Sequence, residues 1–151
     1  MRLLDWASRI PAMPELVGPV PLVAAGVLAL NDHVLKARFP GLVTGKLSDV
    51  AGAFVFPLFV SAALALVTRW PLGRRLGVGA AVAAVLLTAV KLSPAAADAV
   101  VAGLDAVRAP LGVGRGRIVA DPTDLVALPF TLVAWAYGCA AGQRREGEAR
   151  P

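Results

Sequence analysis

The sequence predicts an all-α membrane protein, a four-transmembrane-helix bundle with an additional amphipathic helix between the third and fourth spans. Three observations lead there. Of 151 residues, 58% are hydrophobic and only 17% are charged, against about a quarter charged in a soluble domain. The mean hydropathy is +0.72. The apolar residues are also clustered: Val50 to Thr68 is a run of 19 residues without a charge and Leu125 to Gly142 another of 18. Each approaches the ~20 residues a helix needs to cross about 30 Å of hydrocarbon. The expected organisation is one transmembrane domain over residues 1–142 and a disordered polar tail over 143–151.

Residues 1–10 place Leu3, Leu4, Trp6 and Ile10 among Arg2, Asp5 and Arg9, the spacing of a short helix at a membrane interface. Basic residues ahead of an apolar run have the look of an export signal, but Asp5, Glu15 and the prolines interrupt it. The segment is therefore expected to stay in the chain. The first span is expected over 16–30. Pro19 and Pro21 sit at its entrance, where the first amides lack an intrahelical partner in any case. A re-entrant hairpin with the following loop is the alternative.

Residues 31–49 are expected to form a polar connection broken by Pro40, Gly41 and Gly45. The second span, 50–68, ends in Arg69 and Trp70, a cation and an indole favoured at headgroup level. Pro71, Gly73, Arg74 and Arg75 then form a short basic turn, which makes the third span, 76–90, antiparallel to the second. Ser93 can cap and Pro94 can open an amphipathic helix over about 94–108, which carries Asp98 and Asp105 on one face. Gly112, Gly114 and Gly116 make a loop whose GVGRGR string shares only composition with phosphate-binding loops. Asp121, Pro122, Thr123 and Asp124 read as the cap and first turn of the last span, 125–142. Gly138 and Gly142 are spaced for close helix approach. Cys139 lies in an apolar run and reads as a packing residue.

Four spans return both termini to one side. That side carries eight Lys/Arg residues and the other seven, but Arg69, Arg74 and Arg75 are concentrated in one short turn. This density assigns the termini to the cytoplasmic side of the cell's inner (plasma) membrane. The same alternation gathers polar residues from four places at one membrane face. They are Asn31, Asp32, His33 and Lys36 after span one, and Lys46, Ser48 and Asp49 before span two. Lys91 follows span three, and Asp121, Thr123 and Asp124 precede span four. Ionisable groups at the hydrocarbon edge cost up to ~3 kcal/mol each, so such a set marks a polar pocket with lysines for an anion or headgroup and carboxylates for a cation.

Each residue also has a plainer reading. Asp32 and Lys36 have i,i+4 spacing and can simply pair. Ser48 can cap span two and Asp49 oppose its dipole, Lys91 can snorkel to the interface, and a lone histidine such as His33 is ordinarily neither ligand nor base.

Asn31-Asp32 with Leu35-Lys36, the run Thr44 to Asp49 followed by Ala51-Gly52, and Asp121-Pro122-Thr123-Asp124-Leu125 together resemble a group of small bacterial four-helix integral membrane proteins. That resemblance implies the architecture and no particular activity. The Asp-x-x-Asp-Leu string at the start of the last span is also similar to VanZ-like membrane proteins, although the asparagine expected shortly after it is missing here.

The residues support three classes of function. The first is a non-enzymatic membrane protein whose polar face binds an ion, a lipid headgroup or a partner protein, with no nucleophile elbow, zinc signature or Walker motif in the sequence. The second is a metal-dependent hydrolase or transferase using Asp32, His33, Asp49, Asp121 or Asp124, with the metal as cofactor. The third is a small transporter or channel subunit, for which four short spans make a thin bundle and an oligomer is one arrangement. The bilayer is the expected partner, with a second copy or another membrane protein beside it. The net charge of +5 lies on connections and tail with no basic face interleaved with aromatics, so nucleic acid is not an expected partner.

Overall fold

The computed structural model describes residues 13, 15–16, 18–39, 41–112 and 117–148, among which there are helices and no strands. The helix expected over residues 1–10 lies outside the described residues, as do 113–116 of the glycine loop and 149–151 of the tail. Helix α1 (Pro19–Leu30) runs through a π-helical turn (Asn31–Leu35) into the single turn α2 (Lys36–Arg38). Then come α3 (Leu42–Val67), α4 (Leu72–Leu92), α5 (Pro94–Arg108), a 3-10 turn (Ala109–Leu111), a longer 3-10 segment (Pro122–Ala127) and α6 (Pro129–Glu148). Four helical stretches are long and apolar enough to cross a membrane: Pro19–Arg38, Val43–Val67, Leu72–Leu92 and Pro122–Arg145.

α1 travels the length of the bundle rather than turning back. Before it, Glu15 accepts a 2.9 Å hydrogen bond from Ser61 Oγ; after it, Asn31 donates one of 2.6 Å to Ser48 Oγ. Those two partners lie roughly 20 Å apart along α3 at ~1.5 Å per residue. A re-entrant hairpin would bring Asn31 back to the Glu15 end.

Three boundaries differ from the sequence expectation. α3 starts at Leu42, so Thr44, Gly45, Lys46, Ser48 and Asp49 are helical and the connection shrinks to Phe39–Gly41. The Thr44 hydroxyl, 3.0 Å from the carbonyls of Phe39 and Gly41, ties that turn to the new helix. Arg74 and Arg75 belong to the first turn of α4 rather than to a basic loop. Finally, α6 continues to Glu148. Gln143 to Glu146 of the expected tail are good helix formers, and the cations Arg144 and Arg145 are favoured near a helix C-terminus.

α3, α4 and α6 pack on one another, with α1 against α3 and α5 against α4. Phe54, Leu58, Leu76 and Ala134 form the buried cluster, with Leu16, Leu72, Tyr137 and Cys139 packed on it. The Phe54 and Tyr137 rings meet edge-on, centroids 5.7 Å apart. Small residues bring the axes together: a Cβ on Gly138 would lie 2.5 Å from Leu76 Cδ2, and one on Gly79 only 2.4 Å from the Pro57 carbonyl oxygen. Proline inside α3 already removes one helical amide, and Gly79 lets α4 lie directly on that segment. The outward faces are apolar, with Leu22, Val23, Phe59, Leu66, Val85 and Leu132 all exposed, a surface compatible with a membrane protein.

A compact polar contact lies inside the Glu15 end. Glu15 is fully buried and Arg75 nearly so; their charged groups are 3.4 Å apart, and Arg75 Nη1 also donates to the Ser61 carbonyl at 3.1 Å.

Gly79→Ala should destabilise the protein in detergent by about 1–3 kcal/mol, because the backbone oxygen of Pro57 cannot move aside. Gly77→Ala, where an added Cβ meets nothing within 4 Å, should be neutral or stabilising by up to ~1 kcal/mol. Equal denaturation midpoints for the two variants would refute this account of the α3–α4 contact.

Candidate functional site

At the opposite end of the bundle, α3 supplies two rows of polar side chains one helical face apart. Thr44 and Ser48, four residues apart, turn toward the π-helical segment after α1. Asn31, fully buried, donates through Nδ2 to the Thr44 carbonyl and to Ser48 Oγ, both at 2.6 Å. Ser48 in turn donates to Asp32 at 2.5 Å, and Asp32 pairs with Lys36 at 2.7 Å. Asn31 Oδ1 is buried without a partner among the described residues.

The second row, Lys46 and Asp49, meets α4 and the 3-10 segment that leads into α6. Asp124 is the hub. Its Oδ1 accepts from Lys46 Nζ and its Oδ2 from Lys91 Nζ, each at 2.7 Å. Lys91 also reaches Asp49 Oδ1 at 3.0 Å, and Lys46 donates to Thr123 Oγ1 at 2.8 Å. Three elements are locked by one carboxylate and two ammonium groups. The side chains of Lys91 and Asp124 are 9% and 12% exposed, so these charges are held by each other rather than by water.

Asp121 does cap: its Oδ1 accepts from the Thr123 amide at 2.9 Å and from the Thr123 hydroxyl at 2.8 Å. Those two bonds, the amide first, hold its carboxyl below the usual carboxylate range.

Four of the plainer sequence readings are corrected by this geometry. Ser48 does not cap α3 and Asp49 does not face its dipole, because the helix begins at Leu42, well before either. Lys91 does not snorkel but turns inward between two carboxylates. Asp124, expected to serve the first turn of the last span, points across to α3 and α4 instead. The Asp32–Lys36 pair is as its spacing implies, and both side chains stay more than 40% exposed. His33 is exposed and outside the network.

Beside the network lies a pocket of about 910 Å³ that touches Asp32, Ser48, Asp49, Lys91 and Asp124 on one side, within the ~300–1,000 Å³ range of ligand sites. Thr44, Arg108 and Arg117 also line it, residues that sequence reasoning did not select. Thr44 stands in the same polar string as Lys46 and Ser48, a signal that could have found it. The arginines stand at the end of α5 and after the glycine loop, and nothing local to them points to a pocket. Among the described residues no group of three or more His, Cys, Asp or Glu side chains is placed to hold a metal ion.

In comparisons with known proteins, no family model matches the chain, and no curated protein or solved structure matches it. Function is therefore argued from the geometry.

Asp124→Asn should lower stability by about 3 kcal/mol, since it leaves the buried Lys91 ammonium short of a carboxylate, whereas Asp32→Asn should cost below about 1 kcal/mol at its exposed pair. Matching midpoints in urea or thermal denaturation would show that Asp124 is not the hub. Because the folded pKa of Asp121 is lowered, its contribution is complete above the unfolded value of about 3.9 and is lost as pH falls through the lower folded value. The stability gap between wild type and Asp121→Ala should thus be present at pH 7 and vanish in strong acid.

Proposed function

We propose that the chain is a multi-pass protein of the cell's inner membrane whose interlocked Asp/Lys face forms the floor of a binding pocket for the polar group of a ligand, and that it acts by binding rather than by catalysis. The observation that carries this reading is the pocket itself. Charged side chains from α3, α4 and the 3-10 segment, each costly to place near hydrocarbon, are fixed in one constellation beside an open volume of about 910 Å³. A purely structural ion cluster has no need of that volume. The three motifs that carry the resemblance to small bacterial four-helix membrane proteins, around Asn31-Asp32, Thr44 to Asp49 and Asp121 to Leu125, supply most of the polar residues at this face.

The termini are assigned to the cytoplasm. Arg74 stacks on the Trp70 ring at 4.1 Å, an aromatic–cation pair suited to headgroup level, and Arg144 and Arg145 extend from the same end of α6. Helix α5, at the other face, lies along the interface as an amphipathic element, with Leu104 and Val107 turned outward, 43% and 68% exposed.

Gly45 lines the pocket, and an added Cβ there meets nothing within 4 Å, so Gly45→Trp puts bulk at the pocket wall with no clash at its Cβ. A panel of divalent cations, inorganic phosphate and phospholipids of either charge should contain at least one member that raises the melting temperature of the wild type by about 5 °C when well above its Kd. The same member should leave Gly45→Trp unshifted. A panel without effect, or one acting equally on both proteins, would remove the binding reading.

A further inference from the structure

The charges around the pocket do not cancel. Asp32, Asp49 and Asp124 each have a lysine ammonium within 3.0 Å, so a cation approaching any of them meets an ammonium already in place. Arg108 and Arg117 add two positive charges to the wall, and neither is ion-paired among the described residues. Guanidinium groups present planar forks of N–H donors that match the oxygens of a phosphate, and they are more weakly hydrated than ammonium groups.

The remaining wall is apolar, with Leu28 from α1, Leu87 and Val90 from α4, and Val101 and Leu104 from α5. α1 packs on α3 and α5 packs on α4, and no extended packing joins α1 to α5. Leu28 and Leu104 both line the pocket, one on each of these two helices, and Leu104 is 43% exposed. A ligand held at the arginines and leaving through this side would pass from a charged wall to an apolar one and then to the hydrocarbon around the bundle. A volume of about 910 Å³ accommodates a headgroup and the first part of a chain, but not two full acyl chains.

Resting on the binding reading above, we infer that the pocket takes the phosphate headgroup of an anionic amphiphile, with the phosphate on Arg108 and Arg117 and the apolar chain leaving between α1 and α5. The two arginines act as binding groups. The Asp/Lys network sets the floor and excludes cations.

The test uses the full chain in neutral detergent, read by native mass spectrometry and by melting temperature. Probes are phosphatidic acid, the diacylglycerol with the same chains, inorganic phosphate and dodecyltrimethylammonium. Wild type should retain phosphatidic acid and not the diacylglycerol. Arg108→Gln with Arg117→Gln should weaken retention at least tenfold while keeping the unliganded melting temperature, because neither side chain makes an ion pair among the described residues. Gly45→Trp should abolish retention, and inorganic phosphate at equal concentration should fail to compete.

Retention lost in Gly45→Trp but undiminished in the double arginine variant would overturn the inference and leave the pocket reading in place. Retention insensitive to both variants would place the lipid elsewhere and overturn both. Displacement by equimolar inorganic phosphate would replace the amphiphile with a free anion. Failure of wild type to retain phosphatidic acid overturns the inference, and retention of dodecyltrimethylammonium that Gly45→Trp removes would then assign the pocket to a cation.

Discussion

The two oxygens of Asp124, each 2.7 Å from a different lysine, are the constraint on which the polar end of this bundle depends. Lys46 sits near the start of α3 and Lys91 at the end of α4, while Asp124 belongs to the segment that feeds α6. Any shift of one helix along another separates a pair whose members have little water to fall back on. Desolvating these groups costs several kcal/mol per ion, so the contact specifies register more than it adds net stability. Apolar packing of Phe54, Leu58, Leu76 and Ala134 supplies cohesion, but apolar surfaces slide. Paired charges at fixed heights do not.

The other end is fixed differently. Glu15 reaches in from ahead of α1 to meet Arg75 and Ser61, with its second oxygen and the Arg75 Nε left without partners among the described residues. α1 is therefore held at both ends to α3, through Glu15 to Ser61 and through Asn31 to Ser48. This double attachment matters because α1 has the fewest buried side chains of the candidate spans, 11% against 44% for Val43–Val67.

Much of the architecture was legible because hydrocarbon imposes a simple rule on sequence: long uncharged runs become helices, and alternation fixes which ends meet. Asn31, Ser48, Lys91 and Asp124 could be gathered from that rule alone. What stayed hidden was pairing. Ser48 and Asp49 read as helix-start residues because Gly45 and Pro40 appeared to break the chain, yet tertiary bonds from Asn31 and Lys91 make it favourable to extend α3 back to Leu42. Glu15 read only as an interruption and Arg75 only as part of a basic turn, since burial of each depends on a partner some 60 residues away. Arg108 reaches the pocket from the end of α5 and Arg117 from the non-helical stretch after the glycine loop, placements that no periodicity encodes.

The π-helical turn at Asn31–Leu35 has a geometric consequence. A wide turn accommodates one residue more than the regular helix, rotating the residues beyond it by about 100° while leaving the preceding turns undisturbed. The exposed apolar residues of α1 and the buried Asn31 at the start of the wide turn therefore belong to one continuous rod. The turn thus adds polar residues to an apolar helix while leaving the turns before it regular.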